Sequence, residues 1–126
     1  MNRAYSVRIT AVTLGVPVKW VDNILSQHDI PGVVSSRQGV ERSISDLGLR
    51  VLEMVRIASR ELGIPVARAV EMAGVAASQP DARFVSPSGL ELRFAVDAID
   101  RRLRERVMDA IEATPRLARG RPRTRG

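Results

Sequence analysis

Leu-Gly-Val-Pro-Val at residues 14–18 recurs as Leu-Gly-Ile-Pro-Val at residues 62–66. In each copy the glycine can take the left-handed conformation that ends one helix, and the proline has the fixed φ that suits the start of the next. Apolar residues recur at helical spacing on both sides of each copy. The repeated segment therefore predicts two tight joints, each between a pair of helices.

The first joint is followed by a short ribbon-like stretch. We predict helices over residues 7–14 and 17–27. Residues 29–44 are then expected to form two strands around a turn at Arg37-Gln38-Gly39. One face of the second helix is apolar and carries Pro17, Val18, Val21, Ile24 and Leu25. A helix–turn–helix followed by a β-wing is a layout typical of nucleic-acid-binding proteins.

The second joint lies between two further predicted helices, over residues 46–62 and 65–76. Ser45 is expected to cap the first of these helices, and Asp46 is favourable in its first turn. Together with the preceding helix–turn–helix and wing, they complete a predicted DNA-binding domain over residues 1–76.

A smaller unit follows a predicted linker at residues 77–82. Alternation of apolar and charged residues predicts a hairpin with strands over 83–85 and 90–96. Asp97 is then expected to cap a helix over residues 98–112. The predicted fold class is therefore mainly α with small β elements (α+β): a winged helix–turn–helix followed by a β-hairpin and a C-terminal helix.

The element over residues 83–112 is predicted to serve in dimerisation or partner binding. Its apolar strand and helix stripe could equally fold back on the third helix, whose apolar arc is wide enough to be covered on two sides. The candidate interface residues are Leu47, Met54, Ile57, Leu90, Leu92, Phe94, Ile99, Leu103 and Val107.

The formal net charge of +6 is concentrated at the C-terminus. Five arginines and no acid lie within residues 116–126, so the rest of the chain has a net charge of about +1. Pro115 is expected to end the last helix, and residues 113–126 are predicted to be a disordered, arginine-rich tail. Arg119-Gly120-Arg121-Pro122, followed by Arg123, is similar to the core of an AT-hook, which lies in a narrow minor groove. The alternative is a solvated tail that adds unspecific phosphate affinity.

Composition excludes several kinds of chemistry. The chain has no cysteine and one histidine, so disulfides, thiolate metal sites and multi-histidine sites are unavailable. No apolar run approaches the length that spans a bilayer, and no signal peptide is evident. We predict a cytoplasmic, nucleoid-associated protein that is not an enzyme, with no metal, no cofactor and no membrane partner.

The polar face of the second helix carries the candidate DNA-reading residues. Asn and Gln side chains can pair bidentately with adenine, and basic side chains contact phosphates. Trp20 could stack on a base or pack against the wing. The candidates are Lys19, Trp20, Asn23, Ser26 and Gln27 on the helix, Arg37 and Arg42 on the wing, and Arg119, Arg121 and Arg123 in the tail.

Residues from Tyr5 to about Ala73 resemble the N-terminal winged helix–turn–helix domain of MerR-type transcription regulators. The shared features are the Leu-Gly-Val turn, an Ile30-Pro31 step, a wing with an arginine and a glycine, and Arg42-Ser43-Ile44-Ser45 before a helix, where the family has Arg-x-Tyr-Ser. The resemblance implies a dimer that binds a palindromic operator. The family commonly has Ser, Thr and Arg where this chain has Pro17, Trp20 and Asp22.

These observations predict a transcriptional regulator, of the repressor type, that binds double-stranded DNA as a homodimer. The alternative is an antitoxin-like interaction module that neutralises a toxin-like partner through residues 83–112, with or without binding DNA. The family's metal-sensing branches use cysteines and its drug-sensing branches carry a larger effector domain, so we expect no small-molecule sensor here.

Overall fold

The computed structural model describes residues 3–34 and 42–120, with side chains as far as residue 113. Its helices are α1 (Val7–Leu14), α2 (Val18–Gln27), α3 (Asp46–Arg56), α4 (Val66–Ser78) and α5 (Val96–Gly120), with a π-helical turn at Ile57–Glu61. Its strands are β1 (Ala4–Tyr5), β2 (Val33–Val34), β3 (Ser43–Ser45), β4 (Phe84–Val85) and β5 (Glu91–Leu92). The fold is mainly helical with small antiparallel sheets, as predicted.

Both joints have the predicted backbone. Gly15 has φ 71° and Gly63 has φ 73°, and the residues Pro17 and Pro65 immediately precede α2 and α4. The third helix differs from the prediction, because its α-helical part ends at Arg56 and the π-helical turn replaces its last residues. The Ile64 N–H bonds to the Ala58 carbonyl across this wider turn at 3.0 Å.

The first sheet has the strand order β1-β3-β2, and both pairs are antiparallel. Strand β1 was not predicted, because two residues carry no readable periodicity. It places Tyr5 opposite Ile44, and the Tyr5 hydroxyl donates a 2.7 Å hydrogen bond to Asp46 Oδ1. Burial and this neighbouring carboxylate raise the pKa of Tyr5. Ser45 caps α3 as predicted, accepting a hydrogen bond from the Gly48 N–H.

The second sheet is the hairpin of β4 and β5, which is shorter than predicted. Only Glu91–Leu92 pairs on the outgoing side, and Val96 belongs to α5. Phe94 is buried, and its ring meets that of Phe84 edge to face with centroids 6.2 Å apart. The predicted linker is also shorter, because α4 continues to Ser78.

Helix α5 packs across α1 and α3 and completes the core. It begins at Val96, so Asp97 lies in its first turn and is not the predicted cap. It also continues through Pro115 to Gly120, so the prediction of a helix end at Pro115 is wrong. The disordered tail predicted over residues 113–126 stays a prediction, and its residues 121–126 lie outside the described residues. A proline inside a helix removes one backbone hydrogen bond and crowds the carbonyl four residues earlier. The part of α5 before the proline is held by its buried apolar face. Within the described part of the chain, the helices are all too short or too polar to span a bilayer.

Candidate nucleic-acid interface

Helix α2 has a buried side and a solvent-facing side. Val21, Ile24 and Leu25 are buried in the core beside α1. The opposite side exposes the four predicted polar readers, Lys19, Asn23, Ser26 and Gln27. Pro17 and Val18 were predicted to lie on the buried face but are exposed; Pro17 is the N-cap of α2 and Val18 is its first residue.

Trp20 is half-buried and packs against the hydrophobic core. The sequence left open stacking on a base or packing against the wing, and the contact that the structure gives is with the core. An indole in contact with the core fixes the rotation of α2 about its own axis, because a large side chain fits only one orientation.

The base of the wing is fixed to the start of α3 by a compact set of hydrogen bonds. The Ser45 hydroxyl donates to the Gly32 carbonyl at 2.8 Å and accepts from the Gly48 N–H at 3.2 Å. The Ser45 N–H also donates to the Gly32 carbonyl, at 2.9 Å. Because β2 and β3 are thereby tied to a buried helix, the positions of these two strands are set by the core.

Arg42, at the root of the wing, reaches the outer face of α2. Its Nη1 lies 3.6 Å from Asp22 Oδ1, and its Nη2 lies 3.5 Å from the Ser26 hydroxyl. The Ser26 hydroxyl in turn donates to the Asp22 carbonyl oxygen at 2.8 Å. The Asp22 and Arg42 side chains are half and one-third exposed, so water screens the pair and its strength is modest.

This contact gives Asp22 a role that the sequence did not indicate. Asp22 and Arg42 are 20 positions apart with the wing between them, so no local spacing rule relates them. Two of the predicted site residues, Ser26 and Arg42, are brought together by it. On this surface Arg42 forms an ion pair with Asp22. The salt bridges found among the described residues do not include Lys19.

Several predicted nucleic-acid contacts fall where the structure gives no side chain. Arg37, Arg121 and Arg123 lie outside the described residues. Arg119 lies in the last turn of α5, and only its backbone is described.

The predicted partner interface is largely the core of the single chain. Met54, Phe94, Ile99, Leu103 and Val107 are buried, so their prediction as interface residues is wrong. Ile57 and Leu92 are half-buried, while Leu47 and Leu90 are exposed. The reason is that α5 folds back on α1 and α3, which was the other possibility left open by the sequence.

Comparison with protein-family models, with curated proteins and with solved structures found no match to this chain. Among the described residues there is no group of three or more His, Asp or Glu side chains placed to hold a metal ion.

Proposed function

We propose that this protein is a sequence-reading, DNA-binding regulator of transcription, acting as a dimeric repressor on the nucleoid in the cytoplasm. The observation that carries the proposal is the outer face of α2. Lys19, Asn23 and Gln27 follow one another at four-residue spacing, so they form one exposed stripe along the helix.

The dimensions of α2 suit the major groove. An α-helix with its side chains is about 10–12 Å in diameter, and the major groove of B-DNA is about 12 Å wide. The ten residues of α2 would extend about 15 Å along it. Asn23 and Gln27 would read base edges from this stripe, while Lys19 would hold a phosphate. The apolar side of α2 is buried against α1, so the stripe lies on a helix that the core holds in place.

The wing root gives the proposal a second support. Arg42 lies beside Ser26, next to the stripe, so a cation of the wing and the polar side chains of α2 belong to one continuous surface. A winged helix–turn–helix presents the same two elements together, with the helix in the groove and the wing on the backbone.

The antitoxin-like alternative has one supporting observation. Val85 and Leu90, at the tip of the hairpin, are each about three-fifths exposed and could contact a partner protein. It is the weaker proposal, because most of the apolar residues over 83–112 are used inside the chain.

The proposal is tested by selecting binding sites for the full-length protein from a pool of random DNA duplexes at near-physiological salt. We expect one motif with two-fold symmetry to be enriched. Asn23→Ala should then weaken binding to the selected site by about 5- to 150-fold, with scrambled DNA unaffected, because one good bidentate base contact contributes about 1–3 kcal/mol.

The matched control is Gln79→Ala, which removes an exposed neutral amide side chain at the end of α4. It should leave both the motif and its affinity unchanged. Enrichment of no motif, or equal losses for selected and scrambled DNA on Asn23→Ala, would overturn the proposal and leave partner binding as the function to test.

Neutralising Asp22 should make binding tighter and less selective. Asp22→Asn removes a negative charge from the proposed interface and releases Arg42 toward a phosphate. We expect affinity for scrambled DNA to rise by about 3- to 10-fold, and the plot of log affinity against log salt to steepen by about one unit, as one more phosphate contact requires.

Asp81→Asn serves as the matched control for Asp22→Asn, because it makes the same charge change at an exposed position after α4. Titrations by fluorescence anisotropy at several salt concentrations give both quantities. If the two variants behave alike, only the net charge matters, and the Asp22–Arg42 pair has no part in DNA binding.

A further inference from the structure

A half-open cavity of about 410 Å³ lies where β1, the start of α3 and the middle of α5 meet. Its floor is apolar and is formed by Leu49, Leu103 and Val107, all of which are buried in the core. Its volume is within the range of sites that hold small organic molecules. The cavity is separate from the α2 surface, because none of its lining residues belongs to α2.

The charged groups of the cavity are unequally engaged. Asp46 accepts a 2.7 Å hydrogen bond from the Tyr5 hydroxyl. Asp100 accepts two hydrogen bonds of 2.8 Å, from Nε and Nη2 of Arg50. Both carboxylates are therefore already neutralised or hydrogen-bonded. The bidentate Arg50–Asp100 pair also joins α3 to α5 and holds the cavity in shape.

Two further guanidinium groups stand at the rim. Arg3 and Arg104 both line the cavity and are both exposed, and the salt bridges found among the described residues include neither. The Arg3 guanidinium lies near the Tyr5 hydroxyl, where it partly opposes the rise in the pKa of Tyr5. With three arginines and two aspartates, the lining carries a net positive charge above an apolar floor.

We propose that this cavity binds a small amphipathic organic anion. The carboxylate or sulfonate of the ligand bonds to Arg3 and Arg104, because guanidinium groups match planar anions with charge-assisted hydrogen bonds. Its hydrocarbon part lies on Leu49, Leu103 and Val107. An inorganic anion would leave this apolar floor in water, so the floor selects a ligand with an apolar part.

The proposal runs against the expectation that the chain has no small-molecule sensor. The expectation was based on the lack of a large effector domain after the linker. This cavity needs no such domain, because it is formed between α5 and residues of the first domain. It does not rest on DNA binding, and it is tested on the protein without DNA.

The probe is octanoate, compared with the octyltrimethylammonium cation, which has the same chain and the opposite charge. Isothermal titration of the full chain below micellar concentrations should give a Kd for octanoate on the order of 0.1–1 mM, as expected for so few non-hydrogen atoms. The cation should bind at least about tenfold more weakly, because it meets guanidinium groups at the rim. Equal binding of the two probes would overturn the proposal.

Arg104→Ala tests the rim without disturbing the core, because Arg104 is exposed. We expect it to weaken octanoate binding by about tenfold, since a charge-assisted contact is lost. The control is Arg101→Ala, an exposed arginine on the same helix that does not line the cavity, and it should change the Kd by less than about twofold. Equal effects of the two variants would contradict the assigned site.

The position of the probe is read independently from the methionine methyl groups. Met108 lines the cavity, whereas Met54 and Met72 do not. In protein labelled with ¹³C at the methionine methyls, octanoate should shift the Met108 signal and leave those of Met54 and Met72 in place. A shift of Met72 in place of Met108 would put the ligand elsewhere and overturn the proposal.

Discussion

Arg56→Ala is expected to lower the free energy of unfolding by about 3–5 kcal/mol, the cost of leaving a buried charge without its partner. The Glu53 side chain is 3% exposed, and the Arg56 guanidinium donates to its two oxygens at 2.7 and 3.0 Å. These hydrogen bonds raise the pKa of Arg56. Urea denaturation followed by circular dichroism measures the change.

Arg68→Ala is the matched control for this ion pair. Arg68 and Glu71 have the same three-residue spacing, but both are more than half exposed, so the loss should be less than about 0.5 kcal/mol. A double change, Glu53→Leu with Arg56→Met, should recover most of the loss because no buried charge is left. If Arg56→Ala and Arg68→Ala lower the free energy of unfolding equally, Glu53 is exposed to solvent and is not part of the core.

The ion pair matters for the arrangement of the helices. Arg56 also contacts Glu61 at 3.3 Å, so it spans the π-helical turn from its start to its end. The turn precedes the second joint, which sets the direction of α4. We therefore expect Arg56→Ala to loosen α4 before the helix–turn–helix, and amide hydrogen exchange would show this as faster exchange at Ala69 and Ala73 than at Val21.

Gly32→Ala is the second substitution with a large expected effect, a loss of about 2–4 kcal/mol. Gly32 has φ 85°, which an alanine adopts only with strain. An added Cβ would also lie 2.3 Å from the Gly48 nitrogen and 2.6 Å from Ser45 Oγ. The first of these neighbours is backbone at the start of α3, so it cannot move aside without disturbing the cap.

Gly15→Ala separates the strain of a positive φ from the steric clash of the added Cβ. Gly15 also has a positive φ of 71°, but nothing lies within 4 Å of its would-be Cβ, so it should lose only the conformational cost of about 1–2 kcal/mol. Gly74→Ala, in the helix α4 and without any close neighbour, should instead stabilise by about 0.5–1 kcal/mol. Thermal and urea unfolding of the three variants should rank them in this order. Equal losses at Gly32 and Gly15 would mean that the close approach to Gly48 is absent in solution.

The Gly32 contact also bears on the proposed function. It holds the base of the wing against α3, and the wing root carries Arg42. We expect a folded Gly32→Ala protein to lose the fixed distance between wing and α2, and so to lose selectivity between the selected and scrambled DNA more than total affinity.

Local signals were enough to predict the joints and the buried face of α2 beyond its first residues. A left-handed glycine followed by proline restricts the backbone within a few residues, so Gly15 and Gly63 could be placed without knowing the rest of the chain. The same holds for Ser45, whose cap involves Gly48 three residues later. Helical periodicity likewise placed Val21 inside and Asn23 outside on α2.

Contacts between distant residues were decided by the tertiary structure. Strand β1 exists because β3 offers its edge, and Arg42 meets Asp22 because the chain returns to α2 at residue 42. The direction of α5 was open in the sequence, since an apolar stripe is satisfied equally by its own chain or by another one. Packing on α1 and α3 decided it, buried Leu103 and formed the cavity that Arg3 and Arg104 line. An apolar pattern states that a face must be covered, and only the complete packing determines which surface covers it.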